Sequence, residues 1–414
     1  MSGWFAYNTL VVLGGVSLLG AACGLVGAFA VLRKRALVGD ALAHAALPGL
    51  CLAFIVTGER RLPVLLIGAF LSGLLGNAAI SALGRFTRIK EDAAVGTILS
   101  VFVGAGFVLM RLIQNHYAGG AKAGLDSFIL GKTAGMTRDD LQLIAVVAGL
   151  VTLFVFLLYK EFKLTSFDAG FARALGWPVV TLDSLLMALI AVAVVIGLPA
   201  VGVVMIAALL IIPGASARFW TNSLGALLLL AGGIGFAIGL IGTLISATYS
   251  VMPAGPIIVL TGTVFFVFSL LAGSERGLIA QRFEQRRFER QWRLRRLLRT
   301  LYEWGLRPEA FAAGELGDAA QSDLFAAQGT AEDAVRGGYL ARVAGQQFAL
   351  TDFGRRRAVE VMRGQRLWEA CLTAHPELAS GVADLAEETI DRVVPRETVE
   401  RLTAELKAAG RWPD

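Results

Sequence analysis

Two side chains of this 414-residue chain stand out for what they could bind. Asp40 and His44 lie in the run Gly39-Asp40-Ala41-Leu42-Ala43-His44-Ala45-Ala46-Leu47-Pro48-Gly49. Spacing i, i+4 puts both on one face of a helix, a turn apart. A carboxylate beside an imidazole makes half a site for a first-row divalent ion such as manganese, zinc or ferrous iron. Pro48 has no N–H, so it frees a backbone carbonyl and lets the helix bend beside the pair. The same residues admit a structural reading, with Asp40 as the N-cap of a helix and His44 bonded to a neighbouring carbonyl. The chain has three histidines. His116, in Asn115-His116-Tyr117, reads as solvated, and His375, before Pro376, as a turn residue. Asp92 and Asp183 sit at the ends of apolar runs, where capping accounts for them.

Other chemistries are missing from the residue pattern. No run of buried carboxylates suggests a proton relay, and no arginine ladder suggests a voltage sensor. No GxxxxGK[ST] stretch occurs, so the chain has no P-loop with which to cradle ATP. Active transport would draw its energy from another subunit or from an ion gradient. The three cysteines, at 23, 51 and 371, form no CxxC pair and read as small buried hydrophobes.

The elements that position Asp40 and His44 follow from composition. The chain is 56 % hydrophobic and 17 % charged, against about 25 % charged in soluble domains. Residues 1–274 hold 16 Lys/Arg and 10 Asp/Glu, leaving 22 and 22 for the remainder. A membrane part joined to a polar tail is implied. A single soluble enzyme, a collagen-like chain and a disordered chain are excluded. The first 32 residues carry no charge, a stretch too long for a signal-peptide core and read as a retained span. Residues 45–58 form the core of a second span. Charge-free runs at 62–84, 93–110, 141–159, 184–217 and 219–274 supply the others. With about 20 residues per crossing, the run 184–217 holds most of two spans with a turn at Gly197-Leu198-Pro199. The run 219–274 holds two more, split at Pro253-Ala254-Gly255-Pro256. About nine spans result, within a range of eight to ten.

Ten basic residues follow the odd-numbered spans and six the even-numbered ones. The bias places the N-terminus outside and the tail in the cytoplasm. On that cytoplasmic side, Asp168 can cap a two-turn helix that ends at Gly176, before Trp177-Pro178. It is either a membrane-surface linker or a lever that docks on a partner.

These stretches resemble the permeases of bacterial ABC importers for zinc, manganese and iron. The resemblance rests on Val31 to Gly49, on Lys90-Glu91-Asp92-Ala93-Ala94-Val95-Gly96, on the short helix at 167–177, on Val204 to Arg218 and on Pro253 to Pro256. It runs in order over residues 1–274. It implies a homodimer of this chain, with separate ABC ATPase subunits docking on Phe167, Asp168, Phe171, Ala172, Arg173, Ala174, Leu175 and Gly176. An extracytoplasmic metal-binding protein would deliver the ion. It also matches Asp40 and His44 to the family's pathway ligands. The metal is then cargo (Mn2+, Fe2+ or Zn2+) and no cofactor is held permanently.

Residues 275–300 carry nine Arg against three Glu, with Phe283, Phe288, Trp292, Leu294 and Leu298 interleaved. A basic helix after a cytoplasmic span pins itself to anionic membrane lipid. Residues 301–414 read as helices around one hairpin centred on Gly345, with Thr351-Asp352 opening the next helix. The run from Leu350 to Val359, Arg366-Leu367-Trp368-Glu369 and Asp384 to Leu402 resemble winged-helix manganese- and iron-dependent repressors. The likeness is poor over 305–335. Where that family has metal ligands this chain has Gln365 and the pair Asp391-Arg392, beside Glu388. An arginine in the shell repels a divalent ion, so this sensor site is degenerate. The segment also carries a net charge of −6, from 13 Lys/Arg and 19 Asp/Glu, and DNA binding draws on phosphate neutralisation. No nucleic acid is expected as a partner.

The fold class expected is therefore an all-α polytopic membrane bundle followed by a small, mainly α, winged-helix-like cytoplasmic domain. The boundaries are 1–274 for the bundle, 275–300 for the basic helix and 301–414 for the tail. The function expected is the transmembrane subunit of an ABC importer for a divalent transition metal in the bacterial cytoplasmic membrane, with manganese or iron ahead of zinc. It is a transport subunit and not an enzyme. Two alternatives are a membrane-anchored, DNA-binding, metal-responsive regulator and a gradient-driven secondary transporter.

Overall fold

The computed structural model describes residues 7–58, 61–116, 128, 131–248, 253–306, 310–312, 315, 324–344, 347–374 and 396–413. The chain divides into two compact units, Met1–Gln281 and Arg282–Asp414.

The first unit is a bundle of helices: α1 Tyr7–Leu32, α2 Ala36–Thr57, α3 Leu62–Phe86, α4 Glu91–His116, α5 Arg138–Leu157, α6 Tyr159–Phe167, α7 Ala169–Ala174, α8 Val179–Val201, α9 Val203–Ala217, α10 Leu224–Thr248 and α11 Ala254–Ala272. Among the described residues, eight of them are long and apolar enough to cross a membrane. The segment expected as a further span is α9, an apolar helix of 15 residues, below the about 20 that a crossing needs. The turn expected at Gly197-Leu198-Pro199 is displaced. Helix α8 runs through Pro199 and breaks at Gly202, whose φ of 82° and ψ of 166° only glycine adopts readily. A proline in a final turn removes one N–H without ending the helix, so the glycine sets the break.

Small residues bring the backbones together where lipid supplies no hydrophobic drive. Helix α1 lies at the centre, packed on α10, α9, α5 and α8. Its Gly20 meets Gly235 of α10 so closely that a Cβ on Gly20 would stand 2.3 Å from the Gly235 carbonyl oxygen. Gly24 does the same against Ala231, and Gly27 against Leu210 of α9. A second tight seam joins α2 to α3, where a Cβ on Gly49 would stand 2.2 Å from the Gly68 oxygen.

The second unit takes most of helix α12 Leu278–Glu303, followed by β1 Phe311–Ala312, α13 Leu324–Arg336, β2 Leu340–Ala344, β3 Gln347–Leu350, α14 Asp352–Ala374 and α15 Arg396–Ala408. The strands form one antiparallel sheet in the order β1-β3-β2, with Phe311 opposite Phe348 and Leu340 opposite Leu350. The two strands expected on either side of Gly345 are thus paired, and Gly345 itself lies outside the described residues. The third strand, β1, departs from the expected helices around one hairpin and lies within 305–335, where the resemblance is poor. Leu297, Leu298 and Leu301 of α12 join Phe311, Ala331, Leu340 and Phe348 in its core. Thr351 caps α14, its hydroxyl accepting the Gly354 N–H at 3.0 Å.

Candidate metal passage and coupling surface

Asp40 and His44 lie on α2, one turn apart, with His44 Nε2 3.6 Å from Asp40 Oδ1. Their side chains are 31 % and 25 % exposed. Asp40 is not a cap. The helix begins four residues earlier, at Ala36, and its N-cap residue Arg35 makes no side-chain cap bond. Nor does His44 bond a carbonyl, since its buried Nδ1 has no hydrogen-bond partner. The structural reading of this pair fails on both counts.

The geometry suits a shared ion. Donors 3.6 Å apart, each about 2.1 Å from one metal, subtend roughly 115–120° at it, close to tetrahedral. Proline at position 48, inside α2, cannot donate to the carbonyl four residues back, which is that of His44. A backbone oxygen is thereby released at the same turn. Ser72 Oγ donates to the next carbonyl, that of Ala45, at 2.7 Å. Gly39, adjoining Asp40, lets α9 close in, and a Cβ there would stand 1.9 Å from Leu210 Cδ2. No group of three or more His, Cys, Asp or Glu that could hold a metal occurs among the described residues. Among the described residues the pair therefore offers two side-chain donors. A metal-bound imidazole usually has its other nitrogen oriented by a partner, whose loss costs about 10–100-fold in affinity. The buried Nδ1 of His44 has no such partner among the described residues.

The short helix at 167–177 has the expected cap, with Asp168 Oδ1 accepting the Phe171 N–H at 2.8 Å. Asp168 separates α6 from α7, and Gly176 ends the turn at φ 82°. Phe167, Phe171 and Leu175, four residues apart, are exposed together with Trp177, while Ala172 is fully buried. Arg173, Ala174 and Gly176 are exposed between them. Apolar side chains in a row on a surface mark a contact site.

Elsewhere the structure departs from the sequence reading. Asp183 is not a cap. Helix α8 starts at Val179, with Pro178 as its N-cap residue, and Asp183 pairs with Arg33 and Arg35. At the far end of α8 lies a cleft of about 260 Å³ whose lining includes Lys132, Asp140, Pro199 and Ala200. There the Lys132 N–H donates to Pro199 O at 3.1 Å and Thr133 Oγ1 to Ala200 O at 2.9 Å. These bonds satisfy carbonyls that the break at Gly202 leaves open. In the second unit, Gln365 is buried and donates through Nε2 to Glu369 Oε1 at 2.9 Å. Glu388, Asp391 and Arg392, the rest of the degenerate sensor site, lie outside the described residues. The three cysteines are buried and free.

Residues 6–273 match the ABC 3 transport family. The manganese transport system membrane protein MntC of Bacillus subtilis is 40 % identical over 418 residues, covering 98 % of this chain and 93 % of the relative. The zinc transport system membrane protein TroC of Treponema pallidum is 42 % identical over 281 residues, covering 68 % and 94 %. Among solved structures, PsaBC from Streptococcus pneumoniae in complex with Fab superposes with a TM-score of 0.58 at 30 % identity. It covers 66 % of this chain and 94 % of that one.

Proposed function

Because this chain belongs to the ABC 3 transport family, we propose that it is the multi-pass permease subunit of an ATP-driven importer whose cargo is manganese. Asp40 and His44 pass the ion on. The observation that carries the reading is the Asp40–His44 pair, two donors 3.6 Å apart in the interior of an otherwise apolar helix. Burying such groups in a membrane is costly without a task for them.

Manganese is put first on the relative that shares the tail, while other manganese-named relatives, like the zinc-named one, align over the bundle alone. The relative named for manganese matches nearly the whole of this chain, tail included. The relative named for zinc is almost fully covered by an alignment of 281 residues. Zinc is kept as the second reading, because affinity at N/O sites favours it over manganese. Iron is placed behind both, since the relatives reported above are named for manganese and zinc.

In this proposal the chain works as a homodimer, whose second copy brings the two-donor set to four. Separate ATPase subunits dock on Phe167, Phe171 and Leu175, and an extracytoplasmic protein presents the metal. The N-terminus lies outside and the tail in the cytoplasm, as the basic-residue bias directs. Helix α12, exposed over residues 281–293 and rich in arginine, rests on anionic lipid. The chain transports and performs no hydrolysis itself.

The tail is read as a winged-helix-type module without DNA contact. Its helix α13 carries Glu332 and Asp333, paired with Arg342 and Arg290, where DNA binding would need free cations. The regulator alternative therefore has no support. A gel shift with the full-length chain in nanodiscs should show no sequence-selective complex at physiological salt.

The decisive experiment is uptake of radioactive manganese and zinc into proteoliposomes holding the chain with its ATPase. Manganese uptake that needs ATP and falls at least tenfold in Asp40→Asn is expected. Uptake without the ATPase, or unchanged uptake in the variant, overturns the proposal.

A further inference from the structure

The surface proposed to receive the ATPase and the pair proposed to pass the ion sit on different helices, α6–α7 and α2. A polar network at one end of the bundle joins them. Arg33, in the turn between α1 and α2, donates through Nε to Ser166 Oγ at 2.9 Å and through Nη2 to Thr165 Oγ1 at 2.7 Å. Those hydroxyls belong to the last residues of α6 before Phe167. The remaining arm of Arg33 grips Asp183 Oδ1. The other oxygen, Oδ2, takes Arg35 Nη1 at 2.9 Å. Arg35 Nε in turn reaches Glu91 Oε1, the first residue of α4, at 2.5 Å.

Arg35 is also the residue from which α2 starts, five positions before Asp40, or about 7.5 Å along the axis. The route from docking surface to ion pair is therefore continuous: Phe167, Thr165 and Ser166, Arg33, Asp183, Arg35, α2, Asp40.

Three features make this route stiff. Lys34, between the two arginines, holds φ 60°, a left-handed conformation that non-glycine residues adopt only where the surroundings impose it. The turn is closed by the Arg35 N–H on Ala30 O at 2.8 Å and the Lys34 N–H on Val31 O at 3.1 Å. Each guanidinium is a rigid fork that can hold two elements at once, as an ammonium cannot. Two arginines against two carboxylates leave the network neutral. Arg33 is only 8 % exposed, so breaking it open strands a buried charge.

We propose that Arg35, through the carboxylate of Asp183, is the positioning residue that carries movement of the ATPase-docking helix to the Asp40–His44 pair. The inference rests on the docking and passage readings above.

The test uses the complete transporter in proteoliposomes and measures manganese uptake, ATP hydrolysis and metal retained by the purified permease. In Arg35→Gln, hydrolysis should stay within twofold of wild type while uptake falls at least tenfold, so that the ATP used per ion rises by the ratio of the two. Retained metal should stay at the wild-type level. Arg35→Lys, which keeps the charge and the fold but loses the fork, should show the same uncoupling at smaller amplitude. Asp183→Glu should restore part of what Asp183→Asn loses. Uptake and hydrolysis falling in parallel in both Arg35 variants, or wild-type uptake in both, overturns the proposal. A wild-type transporter that fails to take up metal under ATP overturns the underlying function instead.

Discussion

The contact between α1 and α10 gives a prediction whose size follows from distances. In Gly235→Ala the new Cβ would stand 2.0 Å from the Gly20 carbonyl oxygen and 2.7 Å from its carbon. An ordinary carbon–oxygen contact needs about 3.3 Å. Both atoms are backbone, so no rotamer relieves the clash and the two helices must part by roughly 1 Å. Such a gap forfeits a quarter to a half of each van der Waals contact of about 0.1–0.2 kcal/mol. Over the roughly 60 atom pairs of a seam several residues long, the loss is about 3 kcal/mol. Gly233, on the same helix, is the control, because a Cβ there meets nothing within 4 Å. Gly233→Ala should be neutral or stabilise by up to about 1 kcal/mol through helix propensity. Reversible unfolding in mixed micelles, followed by tryptophan fluorescence, measures both. The reasoning is refuted if Gly235→Ala lies within 0.5 kcal/mol of wild type, a margin usual for surface changes, or if both variants move the same way.

Other outcomes follow from the sites described. His44→Ala should abolish manganese uptake while the permease still co-purifies with its ATPase, and uptake kinetics check it. Phe171→Ala removes an exposed aromatic whose burial in a partner is worth about 1.5–3 kcal/mol; the Kd for the ATPase, read by titration, should weaken by roughly 10–100-fold. Burial pushes the Cys371 thiol up, so at pH 8 its thiolate fraction falls below that of a free cysteine. Alkylation of Cys371 in the folded chain should be slow and become fast only in denaturant, as mass spectrometry of timed samples would show.

Much of the bundle was legible because a bilayer imposes length and polarity on every segment. The charge gaps located the apolar helices, and Pro253 marked the start of α11 as expected. The break after α8 falls a few residues beyond the expected turn, because proline is a conspicuous signal while the deciding feature, a positive φ at Gly202, leaves no mark in an apolar run that also holds Gly197 and Gly214. Asp40 and His44 could be singled out because charges within spans are few. Asp183 was misread for a related reason. A carboxylate near a helix start looks like a cap, and its partners Arg33 and Arg35 lie 150 and 148 residues away. Two basic residues flanking a lysine read as topology markers, and nothing local reveals that two of the three are engaged. The third strand of the tail was hidden by its length of two residues, too short for alternation to register.

The shortness of α9 has an electrical consequence. Fifteen residues span about 22 Å, whereas the hydrocarbon is about 30 Å thick. If the Arg218 end of α9 sits at one membrane face, the turn at Gly202 lies inside the hydrocarbon, and the cleft lined by Lys132, Asp140, Pro199 and Ala200 adjoins that end of α8. In the proposed orientation, such a recess would admit outer water. The membrane potential would then fall over about three-quarters of the usual thickness. A divalent ion gains about 4.6 kcal/mol per 100 mV across the whole drop, and here that work is concentrated on the stretch between the recess and Asp40. In the proposed importer, an inside-negative voltage would thereby favour inward passage at the step where the ion leaves outer water.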